Sequence, residues 1–119
     1  MRHTPGSILI ALALVGATAA AAGAHHGWSG YDSTKELNVT GTIKESGYEH
    51  PHGFVRLEAP GKTWVVVLAP PSRMERRGLP KAMLVAGKKA TVVGYPNRSD
   101  TEEMRAERIT IDGRTTELR

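Results

Sequence analysis

Residues 36–45 alternate between polar and apolar positions, and that rhythm constrains the fold more than any other stretch. Leu37, Val39 and Ile43 face one way, with Gly41 in the same register. Glu36, Asn38, Thr40, Thr42 and Lys44 face the other. A period of two is that of a strand with one face buried. A glycine inside such a strand predicts a bend, as in curved sheets. Further strands are predicted over residues 53–58, 63–68, 89–95 and 104–111, with a short last strand over 115–118. The turns between them are Ala59-Pro60-Gly61-Lys62, Ala86-Gly87-Lys88, Pro96-Asn97 and Asp112-Gly113. The run at 63–68 is almost wholly apolar, which predicts a central strand with Trp64 in the core beside Val66 and Leu68.

Between the third and fourth strands the rhythm changes. Ser72-Arg73-Met74-Glu75 has the form of a capping box, with Ser72 as N-cap and Glu75 at N3. Gly78 falls where a helix C′ residue belongs, and Pro80 prevents continuation, so a short helix is predicted over residues 73–77. Five strands with one helix between the third and fourth is the order of an OB-type barrel. The predicted class is therefore all-β with one short helix: a small OB-like antiparallel barrel of five or six strands. Closure removes exposed strand edges, which suits a small domain without disulfides. The alternative is an open, strongly curved antiparallel sheet packed on the helix.

The first 24 residues read as a secretory signal. Arg2 forms the basic n-region, residues 8–15 the short apolar stretch, and the alanine-rich residues 17–24 the cleavage region. The route is Sec-type: there is no twin arginine, and a chain without cysteine is not a lipoprotein and forms no disulfide. Nothing after residue 24 is apolar enough to span a bilayer. A periplasmic or secreted protein is expected, with residues 25–119 forming one domain. That segment carries 15 basic and 12 acidic side chains, a net charge of +3, which reads as a solubilising surface.

Several short motifs follow one another in order. They are His25-His26-Gly27-Trp28, Gly41-Thr42-Ile43, Pro51-His52-Gly53, Trp64-Val65-Val66 and Ala69-Pro70-Pro71-Ser72. Arg76-Arg77-Gly78-Leu79, Ala86-Gly87-Lys88 and Gly94-Tyr95-Pro96 complete the series. The series resembles domain-of-unknown-function family 6152, a family of small exported bacterial proteins, over about residues 25–113. The resemblance implies export and a small β-rich domain, and no activity. Members of that family often show Asn-Pro-His where this chain has His50-Pro51-His52.

Apart from His3, the histidines are confined to two pairs, His25-His26 and His50-Pro51-His52. Copper(II) favours nitrogen ligands in a square arrangement. Cleavage after Ala24 leaves His25 first, and its amine and imidazole can join His52 or His50 in a T-shaped set of three nitrogens. Cleavage after Gly23 or Ala22 leaves a histidine at the third position. There the amine, two backbone amides and an imidazole can wrap copper or nickel in a plane. In an extended segment His50 and His52 would point to one side. Zinc would need a fourth ligand or an open water position, for which Glu49 or Asp32 is available. Copper is the expected metal, with zinc or nickel as alternatives, and His25, His26, His50 and His52 are the candidate ligands.

The alternative is an envelope interaction module that binds no metal. Trp28 and Tyr31, with the helix arginines Arg73, Arg76 and Arg77, would face an envelope protein, a glycan or a small anion. Trp28 and Tyr31 are also placed to anchor the leader across the barrel, bringing His25 near His52. Six aromatic residues offer few platforms for base stacking, so nucleic acid is not the expected partner. Hydrolytic catalysis has little support: no serine lies in a Gly-x-Ser-x-Gly turn and no glycine-rich phosphate loop precedes a helix.

Overall fold

The computed structural model describes residues 27–119; the expected signal sequence and the pair His25-His26 lie outside the described residues. Strands β1 (Leu37–Gly47), β2 (Phe54–Ala59) and β3 (Lys62–Val67) form a meander. Helix α1 (Pro71–Arg76) follows, then β4 (Lys89–Pro96), β5 (Glu103–Ile111) and β6 (Arg114–Glu117). The sheet order is β3-β2-β1-β4-β5-β6, and β3 also pairs with β5. That last pairing closes five strands into a barrel, with β6 as an addition on β5. The expected small OB-like barrel is what the chain forms.

The expectation of a wholly antiparallel barrel needs one correction. The β3–β5 pair is parallel, matching Val65 to Glu103, Val66 to Met104 and Val67 to Arg105. Directions in a closed ring of five strands cannot alternate all the way round, so at least one neighbouring pair must run the same way. In this order that pair is β3 and β5.

Ile43, Val55, Leu57, Val66, Val92, Met104, Ile109 and Ile111 are fully buried and form the core. They are the inward positions of the alternating strands. Trp64 is half-buried against the edge of this core rather than inside it, with the Lys62 ammonium 3.8 Å from its ring centroid. Two register shifts bend the barrel, one in β1 between Ile43 and Glu45, the other where β4 meets β5 at Val93 and Gly94. Such bulges insert one extra residue and increase local twist.

The helix begins two residues earlier than the capping box implies. Pro71 is its first residue and Pro70 its N-cap, and no side chain caps it. Proline at the first position has its φ preset and lacks an N–H that would go unpaired anyway. Ser72 is thus inside the helix and exposed, and Glu75 lies 3.2 Å from the Tyr48 hydroxyl instead. The C-terminus is as expected. Gly78 has φ +86°, its N–H donates to the Glu75 carbonyl at 3.2 Å, and the Leu79 N–H donates to the Met74 carbonyl at 2.8 Å. This is a Schellman motif, with Met74 and Leu79 both buried. Ser72→Ala should therefore change unfolding free energy by less than about 0.5 kcal/mol, against the ~1 kcal/mol of a true N-cap loss. Urea denaturation of the two proteins checks this. Among the described residues, no helix is long and apolar enough to cross a membrane.

Candidate functional site

Residues 27–32 form a strap across one end of the barrel. Trp28–Gly30 make a single 3-10 turn, after which Tyr31 bridges to Asn97 beyond the end of β4. The Asp32 N–H donates to the Pro96 carbonyl at 2.9 Å and the Arg98 N–H to the Gly30 carbonyl at 2.9 Å. The rings of Tyr31 and Tyr95 meet that of Trp28 edge-on, with centroids 6.4 and 6.1 Å away. The Tyr31 hydroxyl donates to the Glu103 carboxylate, which also accepts from Asn97 Nδ2 at 3.1 Å. These contacts tie the strap to β4 and β5.

Partial burial, reinforced by the Glu103 hydrogen bond and charge, pushes the Tyr31 phenol up to about 12. An unfolded tyrosine titrates near pH ~10. The folded state thus holds this proton more tightly. The resulting stabilisation is complete below that pH and fades as pH rises towards 12. Ultraviolet titration should show a late ionising phase that Tyr31→Phe removes.

Under the strap lies Arg105, on the outward register of β5 yet only 6% exposed. Its guanidinium carbon is 4.4 Å from the Trp28 ring centroid and 6.0 Å from that of Tyr31. Its Nη2 lies 3.2 Å from Nε2 of the half-buried His52, and its Nε is buried without a partner among the described residues. Burial, with Arg73 and Arg119 nearby, lowers the Arg105 pKa, while the Tyr31 phenol opposes that shift. His52 is pushed below the usual imidazole range by burial, and further by Arg105 and Arg73. An arginine is only a donor, so its hydrogen bond requires an unprotonated Nε2. His52 is held neutral with its proton on Nδ1.

The remaining candidates are placed as follows. His50 is exposed, and the chain bends at His50 and Pro51 rather than running extended. The argument that both imidazoles share one side of an extended segment therefore does not apply. Arg73 Nη1 donates to the Leu118 carbonyl at 3.0 Å, and Arg77 Nη1 to the Glu117 carbonyl at 2.8 Å. These two arginines fasten the end of β6 and the residue after it, and Arg73 also faces His52 and Arg105; Arg76 is exposed. Arg119 lies 4.4 Å from the Trp28 ring centroid. Among the described residues, no three His, Asp or Glu side chains form a group able to hold a metal ion.

Arg105 and Arg119 are not residues that the sequence singles out. Met104-Arg105-Ala106 sets an arginine between two buried residues of β5, a weak signal. Only the strap explains why that arginine is itself buried.

No curated protein matches the chain. Two crystal structures of TiaS are similar to it, one in complex with a tRNA and ATP, the other a ZRD-deleted mutant with agmatine. Each is 18% identical with a TM-score of 0.51, and 74% of this chain is covered. The match spans 19% of the first TiaS chain and 25% of the second, so the likeness concerns the barrel fold alone. At the level of sequence pattern, residues 12–105 match the family of unknown function DUF6152, and the chain belongs to that family.

Proposed function

We propose that the chain is an exported, periplasmic copper-binding protein, acting as a carrier, buffer or sensor. His25 supplies an amine and an imidazole, and His52 is the ligand contributed by the barrel. His26 and His50 are the alternates.

The observation that carries this reading is where the strap starts. A Cβ built on Gly27 would lie 3.5 Å from Arg105 Nη1, and Arg105 Nη2 is 3.2 Å from His52 Nε2. Each extended residue spans up to about 3.6 Å, so a ligand one or two positions before Gly27 is within reach of His52. A neutral imidazole is also the form that binds metal. Arg105 now occupies the Nε2 lone pair, so copper at that nitrogen requires the guanidinium to turn aside.

The test is electron paramagnetic resonance of copper(II)-loaded protein matured in a periplasm, with its intact mass fixing the terminus. A three-nitrogen pattern altered by His52→Ala is the expected result. A planar four-nitrogen pattern indifferent to His52 would reduce the site to a terminal chelate independent of the barrel. An aqueous copper signal would overturn the proposal.

A further inference from the structure

We propose that the mouth formed by Trp28, His52, Arg73, Arg105 and Arg119 binds a small oxyanion, a carboxylate or a phosphoryl group. The inference stands apart from copper binding and holds whether or not His25 takes a metal.

Three observations converge. Among the described residues, Arg105 is a buried cation with no carboxylate in hydrogen-bonding or ion-pair contact, and one of its donors has no partner. The neighbour it does hydrogen-bond, His52, is neutral. Two further guanidinium groups raise the positive potential there: Arg119 lies 4.4 Å from the centroid of the same Trp28 ring, and Arg73 is near enough to act on both Arg105 and His52. Buried charges in proteins are normally paired, because desolvating an ion costs several kcal/mol.

The neighbouring carboxylates are already engaged. Glu103 accepts from Tyr31 and Asn97, and Glu107 lies 3.5 Å from Arg119. The Trp28 ring face offsets part of the charge and leaves Nε unfilled. A planar or tetrahedral oxyanion accepts from more than one guanidinium at once and offsets their charge, which a neutral ligand or a cation does not. Arg105 and Arg73 are the donors in this reading, Arg119 the exposed flank, and Trp28 the wall.

The experiment uses the exported, processed chain stripped of metal over a chelating resin. Inorganic phosphate and acetate are titrated separately at constant ionic strength. The Trp28 indole N–H and Arg105 Nε–H resonances are followed by nuclear magnetic resonance. The expected result is saturable shifts at both protons, with affinity at least tenfold weaker in Arg73→Gln and in Arg105→Lys. Saturation by phosphate alone assigns a phosphoryl ligand; saturation by acetate assigns a carboxylate. Shifts that never saturate, or saturable binding unchanged in both variants, would overturn the proposal. Should Arg105→Lys not fold, Arg73→Gln decides alone. Because no metal is present, failure of this test leaves the copper reading standing, and the reverse.

Discussion

Gly94→Ala is expected to lower the stability of the barrel by about 3 kcal/mol or more, enough to leave much of a marginally stable domain unfolded. A Cβ at this position would lie 2.1 Å from the Arg105 carbonyl oxygen and 2.8 Å from its carbon, with Ala106 Cα at 2.9 Å. All three are backbone atoms of the neighbouring strand. A clash with a side-chain tip is relieved by rotation; one with ladder backbone is relieved only by moving a strand. Here β4 and β5 also shift register, so the two chains approach closely just where Arg105 begins. Gly30→Ala is the control, since nothing lies within 4 Å of its Cβ position. Urea unfolding of both variants should show a large drop in the midpoint for the first and little change for the second. Equal stability of Gly94→Ala and the parent would mean that β4 and β5 are not so closely apposed.

The second large effect has the opposite sign. Arg105→Met is expected to raise stability by about 1–2 kcal/mol while removing oxyanion binding at the mouth. The substitution keeps an unbranched chain of similar reach and deletes a buried charge. Retaining that charge costs several kcal/mol of desolvation, and the orphaned Nε adds about 1–3 kcal/mol. Against this stand a cation–π contact of about 1–2 kcal/mol with Trp28 and one hydrogen bond to His52. His52 is partly exposed, so water replaces that bond at small cost. The balance favours the apolar side chain, as when a buried ion pair is replaced by well-packed hydrophobic residues. Thermal unfolding of the metal-free protein measures it. A clear fall in stability would mean that Arg105 is retained for packing rather than for a ligand.

The barrel itself was legible because its signals are local. Alternation at Leu37, Val39 and Ile43 and the turn glycines at 61, 87 and 113 each specify conformation over a few residues. The helix was legible at its glycine end and misread at its start, where Pro71 outcompetes Ser72. The parallel pair escaped a strand-by-strand reading because it is a property of the whole ring. The site was legible only in fragments. Trp28, Tyr31, His52 and Arg73 stand out by type, and the fold does gather them at one mouth. Arg105 did not stand out, because an arginine on an outward position of β5 reads as solvated. Its burial comes from residues more than 70 positions away in the chain, Trp28 and Tyr31. No periodicity within a strand carries that information.

The parallel pairing of β3 with β5 gives this barrel a seam. Every other pair of neighbours in the ring is antiparallel. Like the pairing of β1 with β4, the seam joins residues far apart in the chain, Val66 and Met104, and such long-range contacts are costly in chain entropy. Arg105 sits on this seam, opposite Val67 on one side and Tyr95 on the other. A ligand that gathers the arginines of the mouth would therefore act as a clasp across the parallel joint of the ring.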